Sequence, residues 1–324
     1  MTKIFVESEF APLKKVVLAQ SQFAFPDEKN EDNADLSFLT AENIEWSSGH
    51  AAEDFADAHP EKQMRWEQEK VDMQQLLESY GVEVLRPRLL TDEEKSLGRE
   101  SGDGYSNFFS RDPFFAIGEC VIEGNLRLPH RRYEVLPIRE ILIEATKEQG
   151  LYFAAPQPDI SLGIHSHQGP FIEGGDVLVY HKTIFVGYSG LASNLLGIQW
   201  LQRFMRHFGY EVVPVRLHPN ILHLDCALSL VREGLMIICE DAFLDGVPSQ
   251  LQHWQKIPIS LADASILMAN GLPINEEVYI TDYSFKEVIT ALKKHHVKVE
   301  TLDYYVSRVF GGSFRCTTQP FIRE

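Results

Sequence analysis

The sequence predicts an α/β protein built from one strand–strand–helix–strand unit used five times. Two patterns predict it. An apolar helical face followed by a stop and a short strand recurs along the chain, and apolar strand pairs joined by tight turns precede several of those helices. One such unit leaves apolar faces uncovered, so five need one another. A ring covers all five, and a stacked α/β sheet is the alternative.

Taken in order, Leu13 to Leu18 reads as a strand. Residues 27–57 then hold ten acidic residues against one lysine, Lys29. They make either a lid over a site or, the favoured reading, a solvated surface insertion. Met73, Leu76, Leu77 and Tyr80 share one helical face, and Gly81-Val82-Glu83-Val84-Leu85 supplies stop and strand. The pattern returns at Ile138, Ile141, Leu142 and Ala145 before Gly150-Leu151-Tyr152-Phe153. It returns again at Leu201, Phe204, Met205 and Phe208 before Gly209-Tyr210-Glu211-Val212-Val213, and at Phe285, Val288, Ile289 and Leu292 before Val297-Lys298-Val299. A weaker fifth copy surrounds Leu251, Trp254 and Ile257-Pro258-Ile259. Hairpins are expected at 114–117 with 120–123, at 177–180 with 183–186, and at 227–231 with 235–239.

Composition narrows the function classes. The 324 residues are 44% hydrophobic and 24% charged, enough for a sizeable core. A formal net charge of -17 argues against nucleic acid or an anionic membrane as partner. The four cysteines, Cys120, Cys226, Cys239 and Cys316, form no CxxC pair. The start, Met1-Thr2-Lys3-Ile4-Phe5, is unlike a signal peptide, and no apolar run nears the ~18 residues of a membrane span. The expectation is one cytoplasmic domain over 1–324 with free thiols, an acidic insertion at about 27–60, and no cofactor or metal. His165-Ser166-His167 with His223 and Asp225 offers zinc-ligand atoms, but no spaced motif supports a metal site.

Chemistry-bearing residues cluster at the hairpins. Ser110-Arg111-Asp112-Pro113 precedes the first, Glu173-Gly174-Gly175-Asp176 the second, and His223-Leu224-Asp225 opens the third. Gly311-Gly312-Ser313-Phe314-Arg315-Cys316 follows the last helix–strand pair. Each has a plainer reading: a turn at Asp112, a glycine bend with surface acids at 173–176, a hydrogen-bonded pair on one strand face at His223 and Asp225, a buried apolar thiol at Cys316. Arg315 beside Cys316 favours a thiolate instead. Equivalent positions related by rotation would bring a thiol, an imidazole and several carboxylates into one pocket, as nucleophile, acid/base and anionic clamp.

On the motifs Ser110-Arg111-Asp112-Pro113-Phe114, Phe171-Ile172-Glu173-Gly174-Gly175-Asp176, His223-Leu224-Asp225 and Gly311-Gly312…Cys316, in that order, the chain resembles the guanidino-group-modifying superfamily of arginine deiminases, dimethylargininases and arginine amidinotransferases. The resemblance covers nearly the whole chain, least across 27–60. It implies a five-fold pseudosymmetric ββαβ propeller and a small arginine-like guanidino substrate, with a homodimer as a family expectation. It implies catalysis by Cys316 as nucleophile, His223 as acid and base, and Glu173 orienting His223. Asp112 and Asp225 would clamp the guanidinium. Asp176 is grouped with them in support of the Gly-Gly turn or the carboxylate network, and Arg315 is the helpful cation. A substrate carboxylate would meet Arg127, Arg131, Arg132 or Arg315. The motifs at 110–114 and 173–176 look like the hydrolases, and those at 193–201 and 311–316 look more like the transferases. The sequence leans to a hydrolase, with an amidinotransferase as the alternative and a non-catalytic guanidino-binding protein as a lesser one.

Overall fold

A strand buried on both sides reads as an unbroken apolar run, and successive side chains enter opposite faces. Phe114-Phe115-Ala116-Ile117 is such a run. Phe114 and Ala116 enter one hydrophobic cluster with Val17 and Phe321, while Phe115 and Ile117 enter another with Val177 and Val179. The computed structural model describes residues 4–27, 41–147, 150–159, 161 and 168–324.

The strands form several small sheets in a mixed α/β fold rather than one stacked sheet. Five of them share a connection: an antiparallel pair, a helical segment, then a strand parallel to the second strand of the pair. Phe114–Ile117, Cys120–Glu123 and Leu151–Ala154 form one, with helix Arg139–Thr146 as crossover. Val177–Tyr180, Thr183–Tyr188 and Glu211–Arg216 form the next, with helix Leu195–Met205. Leu228–Arg232, Leu235–Ile238 and Gln255–Pro258 form a third. Leu272–Asn275, Val278–Asp282 and Lys298–Leu302 form a fourth, with helix Lys286–Lys294. The fifth joins the chain ends. Thr318–Arg323 pairs antiparallel with Leu13–Leu18, and Glu83–Leu85 lies parallel beside it after helix Pro60–Ser79. The first strand of this sheet comes last in sequence, and the fourth hairpin was not among those expected.

The helical faces are as expected. Met73, Leu77, Leu142, Leu201, Met205, Val288 and Leu292 are buried. Gly81 and Gly209 take left-handed φ values of 75° and 77° where the chain turns from helix to strand. The copy around Leu251 and Trp254 forms only the single 3-10 turn Ser249–Leu251. Gly246 and Pro248 interrupt any longer helix there, and both apolar anchors are buried without one.

The acidic insertion is also corrected where it is described; residues 28–40 lie outside the described ones. Helix Ala41–Ser47 and the turn Phe55–Ala58 bury Trp46 and Phe55 against Trp66 and Phe310, in the cluster that contains Cys316. Glu45, Glu53 and Asp57 are exposed, Asp54 pairs with Arg99 and Glu42 accepts from the Tyr305 hydroxyl, while the aromatics pack. The long helix docks the Cys316 segment as well. The Glu69 carboxylate accepts from the Val306 and Ser307 amides at 2.6 and 3.0 Å, and Lys70 Nζ donates to Ser307 Oγ at 2.6 Å. Among the described residues no helix is long and apolar enough to cross a membrane.

Candidate active site

Five segments, each just ahead of the first strand of one sheet, meet through hydrogen bonds. Asp112 Oδ1 accepts from the Gly175 amide at 2.8 Å. Glu173 Oε2 lies 2.8 Å from His223 Nε2, and Asp176 Oδ1 accepts from the Leu224 amide at 3.0 Å. Asn270 Nδ2 donates to the Asp225 carbonyl at 3.3 Å, and the Cys316 amide donates to Asn270 Oδ1 at 3.1 Å. The Arg111 amide returns to the Cys316 carbonyl at 3.1 Å. Thus Cys316, Asp112, Glu173, His223, Asp225 and Asp176 lie in one buried network. Asn270 was missed by motif reading. It precedes the fourth hairpin as Asp112 and Glu173 precede theirs, so the positional rule would have found it once that hairpin was seen.

The close approach of two turns fixes the geometry. A Cβ on Gly175 would stand 2.6 Å from Asp112 Oδ1 and 2.7 Å from His223 Nδ1, so glycine is required here by space. His223 sits extended before the short helical turn Leu224–Ala227, not on a strand. The expected shared face with Asp225 is therefore lost. His223 turns to Glu173, whereas Asp225 turns to Arg315 and Cys316.

Burial disfavours charge on His223, but Asp112 and the Glu173 hydrogen bond outweigh it and raise the imidazole to about 10. Burial likewise opposes charge on Asp112, yet His223 and Arg131 hold its carboxyl below the usual range. Asp176, deep and uncharged by preference, is pushed up to about 7, chiefly by burial. The Cys316 thiol goes well above its ordinary value because it is buried and faces the Asp225 and Asp112 carboxylates. Its Sγ is 3.6 Å from Asp225 Oδ2.

Arg315 does not act as the expected neighbour to the thiol. Its guanidinium points away into the fold, donating to both Glu9 oxygens at 3.1 Å and to Asp225 at 2.9 Å. It holds the Asp225 carboxylate in place. Asp176 takes the supporting place expected of it rather than a place in the clamp, since both its oxygens receive backbone amides, from Leu224 and Ser193. Arg315, Asp176, Glu173 and Asp225 are not among the residues lining the cavity over Cys316, and Asp225 stands behind the Cys316 sulfur. That cavity, of about 200 Å³, is lined by Cys316, His223, Asp112 and Arg131 and by a wall of phenylalanines. Phe108-Phe109 and Phe310 adjoin the motifs in sequence, but nothing in their spacing marks them as a wall.

Asp112, Glu173 and His223 bring potential ligand atoms within 4.8 Å of one another, the described set that could converge on a cation. Each is already engaged, His223 by Glu173 and Asp112 by Arg131 at 2.8 Å. His165 and His167 lie outside the described residues.

Comparison with known proteins bears on the family and the fold. The sequence profile described as N,N dimethylarginine dimethylhydrolase, eukaryotic, matches residues 41–323. An inosamine-phosphate amidinotransferase of Streptomyces glaucescens is 24% identical over 344 residues, spanning 98% of this chain and 96% of that protein. The fold is similar to that of an amidinotransferase of the saxitoxin biosynthetic pathway from Microseira wollei, with TM-score 0.79 and 20% identity over 99% of this chain and 97% of the other. It is also similar to the dimethylarginine dimethylaminohydrolase of Pseudomonas aeruginosa, with TM-score 0.65 and 17% identity over 96% of this chain and all of the other. The chain belongs to the N,N dimethylarginine dimethylhydrolase family, within the superfamily of guanidino-modifying enzymes.

Proposed function

We propose that this chain is an amidinotransferase that takes the amidino group of a guanidino donor onto Cys316 and passes it to an acceptor amine. The observation that carries it is the placement of Cys316 Sγ beside Asp225, in a buried site shared with Asp112 and a charged His223. The likeness to amidinotransferases along both chains, at the higher TM-score, favours transfer over the hydrolysis to which the sequence leans. The family profile and the hydrolase-like motifs at 110–114 and 173–176 support hydrolysis as the second reading.

In this reading the donor guanidinium enters between Asp112 and Asp225 and offsets the two charges that hold the thiol protonated. The thiol proton leaves to solvent. Sulfur attacks the guanidinium carbon, and the C–N bond to the donor amine breaks as the His223 imidazolium supplies its proton. An acid near 10 suits a departing alkyl amine of similar basicity. The amine leaves, and the amidino group remains on Cys316. The neutral imidazole then takes a proton from the acceptor amine as its nitrogen attacks that carbon. The C–S bond breaks and thiolate is released; as the product leaves, the thiolate takes a proton back from solvent, which restores the starting thiol and imidazolium. Glu173 orients the imidazole throughout.

We also infer that the five sheets stand around one axis as a single-domain, five-fold pseudosymmetric propeller. Five hydrophobic clusters each join two neighbouring sheets, and the last, through Leu272, Ile280, Leu13 and Val16, returns to the sheet holding the chain ends.

The test is incubation of wild type and Cys316→Ser with arginine, with and without acceptor amines such as glycine. We expect an amidino adduct on the wild-type cysteine by intact mass, transfer product that needs the acceptor, and neither in the variant. A ureido product formed equally well without acceptor would replace transfer by hydrolysis.

A further inference from the structure

Resting on the guanidino-donor reading, we propose that the donor this site prefers carries an apolar alkyl or arylalkyl body on its guanidinium, rather than a carboxylate. The cavity above Cys316 is the basis. Its wall consists of Phe23, Phe25, Phe108, Phe109 and Phe310, with Leu128 beside them. The rings brace one another. Phe23 meets Phe25, Phe108 and Phe310 with centroids 5.1, 5.7 and 5.1 Å away, and Phe108 meets Phe109 at 4.4 Å. A wall held this way is formed before the ligand arrives, so an apolar body gains burial at little ordering cost.

A carboxylate would find no unpaired cation among the described lining residues. Arg131 is the one lysine or arginine among the described lining residues, and it is taken. It donates to Glu134 at 3.0 and 2.9 Å and to Asp112 at 2.8 Å, and stands 3.9 Å from Glu173. Three carboxylates, Asp112, Glu134 and Glu173, surround the Arg131 guanidinium and the His223 imidazolium, so both cations are already paired. Burial and the neighbouring arginines hold His130 uncharged, near 3, so it offers no cation either. An anionic tail entering here would be desolvated with its nearest cations already paired, whereas a guanidinium head with a phenylalkyl tail meets carboxylates at one end and rings at the other.

The experiment compares arginine, agmatine, hexylguanidine and 3-phenylpropylguanidine as donors to the full-length protein. The readout is the rate of adduct formation on Cys316 at low donor concentration. We expect 3-phenylpropylguanidine and hexylguanidine to exceed arginine by roughly tenfold or more. Arginine equal to or better than both overturns this inference while leaving the donor reading intact. No adduct from any of the four overturns both. Ile44 lines the cavity yet is 54% exposed, so Ile44→Lys adds a cation to the rim without disturbing the core. That variant is expected to shift the ratio towards arginine by about threefold. An unmoved ratio overturns the placement of the tail along this wall.

Discussion

At the scale of single residues, the site is governed by its carboxylates. Cys316 waits as a thiol because Asp225 and Asp112 face it in a buried place, while Asp112 and Glu173 keep His223 charged. The adjacent arginine, the natural activator on sequence grounds, instead neutralises Asp225 and Glu9 from below. A pH consequence follows for His223. Its folded-state pKa is raised from 6.5 to about 10, so its stabilising contribution is fully present below about pH 6.5 and is lost as pH rises through about 10. The stability gap between wild type and His223→Gln, measured by chemical denaturation, should therefore be wide near pH 6 and narrow by about pH 10.5. A gap that widens with pH would show that His223 is buried neutral.

At the scale of elements, the turn at 173–176 does two things at once. Glu173 reaches His223, and the Gly175 amide holds Asp112. A methyl group at Gly175 must push one of these partners away, because its Cβ would sit within 2.8 Å of the imidazole. Gly175→Ala is expected to lower the rate of Cys316 adduct formation about a hundredfold, the scale of a misplacement near 1 Å. The variant should remain folded by circular dichroism. A rate within twofold of wild type would mean that the turn is not what positions the imidazole. The helix Pro60–Ser79 shows a second kind of support, with Glu69 and Lys70 tethering the segment that leads into Gly311-Gly312.

At the scale of the molecule, the two chain ends complete one sheet. Thr318–Arg323 pairs with Leu13–Leu18 on one side and Phe5–Val6 on the other, and Phe321 is fully buried between sheets. Burial of Phe321 alone is worth about 3–5 kcal/mol, a large share of the roughly 5–15 kcal/mol that keeps a domain folded. Removal of residues 318–324 also strips the ladder from Leu13–Leu18. The truncated chain is expected to lose its cooperative thermal transition by calorimetry. An unfolding transition within a few degrees of wild type would show that closure by the C-terminal strand is dispensable.

What the sequence determined by itself was the repeated unit and the thiol, the imidazole and the motif-borne carboxylates of the network. Helical faces such as Met73–Leu77 and Leu201–Met205 declare themselves through local periodicity, and each set of polar residues sits beside the strand pair it precedes. Only the tertiary structure decided which partner each side chain takes. His223 and Asp225 are two residues apart, yet one turns to Glu173 and the other to Arg315. Glu9, Asn270 and Arg131 reach the site from segments with no motif, and the phenylalanine wall is assembled from three separate stretches of chain. The physical reason is range. Periodicity is set by neighbours along the chain, whereas charge pairing and desolvation depend on groups brought together from hundreds of residues apart.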